Sequence, residues 1–461
     1  MATESRLKVG SLVAGTIVLS ALLLLHVQGV NGPSYWYWPW RRLAALPVYG
    51  CMALASMPFF IAQWIDRPTR LARAVAIALL MSSALSLMVV SAMVIDNPPS
   101  FEPIVRIVNH PLATGYFLDA QEIMNIPLKT WIHDFPKLAP RMHMHTWTKP
   151  PGPVLYWLLF IKLFGVTSRA AIIGAIVLGF LGALSIPATY LFLRNMLGDA
   201  TAAFCGASFM SLCPGFVLFF PMFDPALAIL TCAMVGFWLA ALRRNQIRWA
   251  IASGFILGML GLLTYTVLGC GVFMAALPFF TGNRPLKNRL GVYAKLSIAT
   301  MTTALVVLLA LRVILEFDAY LTFLGANENQ NWFKRNFPDQ RPYPQIVPFM
   351  LTEFALTTGW ISVLLVIYYF LGRDGTSATV SGGPSRRTLA WLVVLQFLAA
   401  AISGVYPLET ARIWDFMLPF LAIPVGMELA RWSKTNRVIA YASLLIVTMV
   451  ICQNLLFVAS T

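Results

Sequence analysis

Four of the chain's five histidines, His110, His133, His143 and His145, fall within residues 96–152, together with Asp96, Glu102, Asp119, Glu122 and Asp134. Asp119 follows the run Tyr116-Phe117-Leu118, which sets a carboxylate at a membrane surface, where it can take a proton from a hydroxyl or an amine. The same residue type caps helices, and a helix starting at Ala120 would use Asp119 that way. His143 and His145 alternate, so an extended chain turns both to one side, where with Asp119 or Glu122 they could bind Zn²⁺ or Mn²⁺. They serve equally as hydrogen-bonding partners of a phosphate or sugar, or as ordinary loop histidines.

Lys149 heads Lys149-Pro150-Pro151-Gly152-Pro153. The prolines impose an extended entry to the next helix and hold the lysine at headgroup level. A fixed cation there suits a phosphate; a snorkelling interfacial lysine has the same signature. Asp224, in Phe223-Asp224-Pro225, is a second candidate carboxylate, although Asp followed by Pro is also a common way to begin a helix. Glu409-Thr410-Ala411-Arg412 adds a guanidinium able to hold phosphate in a bidentate way with Glu409 orienting it, or a simple interfacial pair. Asn327-Glu328-Asn329-Gln330-Asn331-Trp332-Phe333-Lys334-Arg335 suits sugar recognition and phosphate contact, and equally an amphipathic interfacial helix.

These residues must be positioned by helices in lipid. Of 461 residues 59% are hydrophobic and 11% charged, more apolar surface than one soluble core can hide. Apolar runs of roughly 17 to 25 residues recur along the chain, the length that crosses about 30 Å of hydrocarbon. Backbone polar groups in lipid must be satisfied within each segment, so the expected class is an all-α, polytopic helical membrane protein. The first run, about 9–28, is too long for a signal-peptide core and is expected to be retained. The net charge of +15 sits mostly in short connectors, an orientation signal and not a nucleic-acid footprint. The six cysteines lack metal-ligand spacing and serve as small hydrophobes.

Arg67/Arg70/Arg73, Arg243/Arg244/Arg248, Arg284/Lys287/Arg289, Arg373/Arg386/Arg387 and Arg431/Lys434/Arg437 mark the cytoplasmic side. Residues 96–152, 317–346 and 405–413 then face outward, with Asp224 on the same face. Fourteen apolar segments violate the parity this requires. The 153–166 segment, about 21 Å long, is the one expected not to cross, leaving about 13 transmembrane helices.

The order Asp119-Ala120-Gln121-Glu122, then Lys149-Pro150-Pro151-Gly152-Pro153 with aromatics after it, resembles the first outer loop of the GT-C glycosyltransferases. It is similar to the branch of protein mannosyltransferases and lipid A aminoarabinose transferases, glycosyltransferase family 39-like. Cys213-Pro214-Gly215 with Phe223-Asp224-Pro225 looks like the family's second acidic turn, and Glu409-Thr410-Ala411-Arg412 like its C-terminal Glu-x-x-Arg element. The resemblance covers roughly residues 74–430. It implies a polyprenyl-phosphate sugar donor, Asp119 as catalytic base, and substrate contacts from Glu122, His143, His145, Lys149, Asp224, Glu409 and Arg412. Two departures stand out. Three spans precede the acidic loop where the family has one, and Asp-Ala replaces Asp-Glu, which leaves any second carboxylate to Glu122 and weakens transfer of a metal role.

The expected organisation is an N-terminal transmembrane hairpin (1–73), a GT-C-like catalytic core (74–372) with outer loops 96–152 and 317–346, a cytoplasmic linker (373–387) and C-terminal transmembrane helices (388–461). The expected activity is transfer of a sugar from polyprenyl phosphate to a glycan, lipid or protein acceptor on the outer face, with inversion and no nucleic-acid partner. No cofactor is required by this reading, a divalent metal being the one candidate. The rivals are a transporter or flippase of a lipid-linked substrate and an inactive assembly subunit. Asn-x-Ser/Thr sequons are absent, which leans toward a prokaryotic plasma membrane.

Overall fold

The computed structural model describes residues 2–27, 42–65, 69–281, 286–336, 343–372, 384–404 and 410–454. Among them every regular element is helical. Among the described residues, eight helices are long and apolar enough to cross a membrane: Leu7–Leu24, Ala45–Trp64, Arg70–Met93, Ser168–Leu197, Asp224–Arg244, Arg289–Leu315, Thr410–Ala430 and Lys434–Asn454. Ile346–Thr357 and Ile361–Leu371 form a ninth span if taken together, bent by 100°. The bend falls at Gly359 and Trp360, both with positive φ, a backbone conformation that ends a right-handed helix.

About thirteen crossings were expected. The long helices among the described residues do not confirm that number, because several apolar segments form shorter helices: Gly152–Phe164, Ala200–Leu212, Ile247–Leu260 and Thr266–Phe280. Gly152–Phe164, at 13 residues, is about 20 Å long.

Thr410–Ala430 is the centre of the bundle. Its apolar window is 94% buried, against 11% for Arg289–Leu315 at the periphery. Leu418–Ala430 packs along Ala200–Leu212. The approach is so close that a Cβ on Gly426 would lie 2.4 Å from the Ala202 carbonyl oxygen, and one on Gly206 2.6 Å from that of Ala422. Small residues permit such contacts where dispersion, and not the hydrophobic effect, holds helices together. Gly426→Val is therefore expected to destabilise the protein by about 1–3 kcal/mol through overpacking, seen as a lowered thermal midpoint in detergent. An unchanged midpoint would mean that the two helices separate without cost.

The first and last described helices pack together. Ala2–Leu24 packs on Lys434–Asn454, and Lys8 pairs with the buried Glu428 at 3.0 Å, which Arg431 and the Trp432 indole also bind. Asp224 opens a 21-residue helix that Arg243 and Arg244 close, so the acidic and basic ends lie about 30 Å apart. Arg243 donates to the carbonyls of Asn195 and Met196, and Arg386 pairs with Asp199. These basic connectors thus gather at the end of the bundle opposite Asp224.

Candidate active site

The stretch 96–152 folds into short helices over the Asp224 end. Tyr116–Ile123 starts after Gly115, whose φ of +65° favours glycine. A Cβ there would lie 2.4 Å from the His143 Cβ. Phe117 packs edge-on against Trp157 at 5.5 Å, tying this helix to Gly152–Phe164. Asp119 sits in its first turn, fully buried, and makes no cap. Its Oδ1 accepts from the His143 backbone N–H (3.2 Å) and from His143 Nδ1 (2.7 Å), and its Oδ2 accepts from the Thr146 hydroxyl. The carboxylate that could have been a local helix cap instead ties down a segment 24 residues further along.

Lys149 follows on the same segment. Gly152 N–H donates to the Leu262 carbonyl at 2.9 Å, an approach that leaves no room for a side chain, so the proline-glycine run is docked on the body of the protein. Lys149 Nζ donates to Asp224 Oδ1 at 3.3 Å, and Arg412 Nε lies 3.6 Å from Asp224 Oδ2. All three side chains are buried. Arg412 reaches the Ala113 carbonyl at 3.4 Å and His145 Nδ1 at 3.5 Å. His145 Nε2 lies 2.8 Å from the Leu112 carbonyl; a carbonyl only accepts, so Nε2 carries the proton and Nδ1 turns its lone pair to Arg412.

The electrostatics agree with that tautomer. Burial, then the Arg412 and Lys149 charges, hold the His145 imidazole well below its ordinary value, so it stays neutral. For Lys149, burial is the largest influence and pulls the ammonium down, but the Asp224 charge and hydrogen bond oppose it and the net shift is upward. The Tyr116 phenol is pushed up by burial, against the opposing pull of Lys149 and Arg412. The cluster is thus two fixed cations sharing one carboxylate, lined by a neutral imidazole and a neutral phenol.

Of the sequence candidates, Asp119, His143, His145, Lys149, Asp224 and Arg412 come together through residues 143–149. Glu122 does not join them: it is exposed, with no interaction tying it to the cluster among the described residues. Glu409 lies outside the described residues. Among the described residues no three His, Cys, Asp or Glu side chains form a metal-binding group. His145 spends both ring nitrogens on Leu112 and Arg412, and His143 spends Nδ1 on Asp119, so the two histidines do not supply a shared pair of free donors to a cation. His110 closes a local turn, and His133 faces Glu316 at the surface.

Two buried carboxylates near the cluster were missed. Asp415 is fully buried beside Asp224 and Arg412 with neither oxygen hydrogen-bonded among the described residues. Glu353 accepts from the Ala411 N–H at 3.3 Å, bracing the turn that carries Arg412. A charge inside an apolar run was the available signal for both.

A cavity of about 380 Å³ opens beside the cluster, lined by Thr148, Tyr265, Phe323, Asn327, Trp414 and Phe416 among others. Asn327 and Gln330 bring the amides of Ala319–Asn336 to this cavity, and Trp332 of that helix meets Trp147 at 6.0 Å.

Residues 148–326 match the family model of dolichyl-phosphate-mannose-protein mannosyltransferases. Over that segment the chain is similar to this family. The match takes in Lys149 and Asp224, while Asp119, His143 and His145 precede it and Arg412 follows it. Among solved structures, the chain is similar to ArnT from Cupriavidus metallidurans bound to undecaprenyl phosphate, at 17% identity and a TM-score of 0.44, covering 72% of this chain and 61% of that one. It is also similar to the Archaeoglobus fulgidus oligosaccharyltransferase in complex with Zn and sulfate, at 13% identity and a TM-score of 0.44, covering 81% and 52%. The chain thus spans between half and two thirds of the length of these structures. No curated protein matches it.

Proposed function

We propose that the chain is a membrane glycosyltransferase that moves a sugar from a polyprenyl-phosphate donor to a glycan, lipid or protein acceptor at the Lys149–Asp224–Arg412 cluster. The observation that carries this reading is the pair of buried cations sharing Asp224 beside a largely apolar cavity. Lys149 and Arg412 suit the phosphate, and the cavity suits the first isoprenoid units. The amides of Asn327 and Gln330 are of the type that binds sugar hydroxyls. As the bond from the anomeric carbon to phosphate oxygen breaks, negative charge grows on the departing lipid phosphate. Two preorganised cations in a dry site stabilise that charge more than the ground state. A single displacement of this kind inverts the anomeric carbon.

Sidedness supports an outer-face reaction, because Arg243 and Arg386 gather at the opposite end of the bundle and basic connectors stay cytoplasmic. Clustering of Lys149, Asp224, Arg412 and Asp415 at one end also argues against a transporter, which needs ionisable groups along a path through the bundle.

Undecaprenyl phosphate added to the purified protein is expected to raise its thermal stability saturably, by about 2.7 kcal/mol at a hundred times its Kd. Undecaprenol, which lacks the phosphate, should do far less. Equal stabilisation by both lipids would remove the phosphate site from this reading.

A further inference from the structure

The carboxylate of Asp119 presents little to an acceptor. Its Oδ1 already takes two N–H groups of His143 and its Oδ2 takes the Thr146 hydroxyl, and the side chain has no exposure to solvent. The His143 side chain, by contrast, is 27% exposed. Because Asp119 receives the proton on Nδ1, the neutral ring holds its free lone pair on Nε2. Among the described residues Nε2 has no partner. Gly115 lies directly against the His143 Cβ, so the ring is held from behind as well as through Nδ1. His145, two residues on, is the contrast: its Nε2 carries a proton to Leu112 and its Nδ1 faces a guanidinium, which leaves it no proton to accept.

We propose that His143 Nε2 is the base that takes the acceptor's proton, and that Asp119 is a positioning residue acting through it. This deepens the glycosyltransferase reading and rests on it. In the step, the acceptor oxygen or nitrogen forms a bond to the anomeric carbon while its proton passes to His143 Nε2. The bond from that carbon to the phosphate oxygen breaks, and its electron pair leaves with the lipid phosphate towards Lys149 and Arg412. Asp119 stabilises the imidazolium so formed and fixes the tautomer that can receive the proton.

The test uses membranes carrying the full chain, supplied with synthetic undecaprenyl-phosphate sugars and native envelope extract, with release of undecaprenyl phosphate as the readout. His143→Gln is expected to lower kcat by about 10²–10⁴-fold while undecaprenyl phosphate binding is retained. The double variant His143→Gln/Asp119→Asn should be no slower than His143→Gln alone, and added imidazole should restore part of the rate to His143→Ala. Wild-type turnover by His143→Gln, or a further large loss in the double variant, would overturn the proposal and return the base to Asp119.

Failure of the underlying reading has a different signature: no release by the wild-type chain, or normal release after Lys149→Met. Should the His143 variants not fold, diethyl pyrocarbonate on the native protein decides. Modification of His143 in step with lost turnover supports the assignment. An unmodified His143, or a modified one with turnover intact, overturns it.

Discussion

Asp224→Ala is expected to destabilise the protein by about 3–5 kcal/mol, the cost of leaving a buried charge without its partner. Asp224 is the carboxylate that Lys149 and Arg412 share, at 3.3 and 3.6 Å, and both cations are at least nine-tenths buried. Removing it leaves the Lys149 ammonium and the Arg412 guanidinium facing each other in a poorly solvated site. Asp415 stands near enough to Arg412 to offset a part of this, so the larger share of the penalty falls on Lys149. The measurement is thermal melting with gel filtration in detergent, compared with Asp224→Asn, which keeps the shape but not the charge. A wild-type midpoint for both variants would mean that the cations are solvated, and the picture of a dry, preorganised site would fail. Added undecaprenyl phosphate should partly rescue either variant, because its phosphate supplies the missing negative charge.

Lys149→Met should separate binding and chemistry from folding. Methionine keeps the length and the apolar stem, and Asp224 keeps Arg412, so the fold is expected to survive. Turnover should fall by about 10²–10³-fold, the usual loss when one group stabilising transition-state charge is removed, with undecaprenyl phosphate bound more weakly. Lys149→Arg is not a neutral exchange: a planar fork needs a different geometry from a point ammonium in a pocket closed by Pro150, Pro151 and the Gly152–Leu262 contact. Release of undecaprenyl phosphate from a sugar-bearing donor measures the effect. A Met variant with wild-type turnover would remove Lys149 from the phosphate site.

The features legible in the sequence were those that follow from polarity alone. Apolar runs called for an all-helical membrane bundle, and the gathering of Asp224, Arg412 and the 96–152 stretch at one end followed from the placement of charge between such runs. Helix number was less legible. Segments such as 200–218 read as one apolar run, yet Cys213-Pro214 ends one helix at Leu212 and starts another. Hydropathy does not see that break, and the long helices fall below the number of apolar runs.

Side-chain partnership was the least legible layer. Nothing within eight residues of Asp119 reveals that it will bind His143 and Thr146, 24 and 27 residues away; such contacts depend on tertiary folding that local pattern does not encode. Spacing made Glu122 the natural second carboxylate, three residues on, but it is exposed. Asp415 went unread because Arg412, three residues earlier, explained the charge in that turn. Alternation made His143 and His145 one metal candidate beside phosphate, sugar or plain loop roles, whereas the fold gives them opposite tautomers and different partners.

The central claim is that Lys149 and Arg412 receive the phosphate of a lipid-linked donor, and the most direct measurement is a structure of the protein with undecaprenyl phosphate bound. The account predicts the phosphate oxygens within hydrogen-bonding distance, about 2.7–3.2 Å, of Lys149 Nζ and the Arg412 guanidinium, with the isoprenoid chain running into the cavity lined by Tyr265, Phe323 and Trp414. Phosphate bound elsewhere, with Lys149 and Arg412 still closed on Asp224, would contradict it.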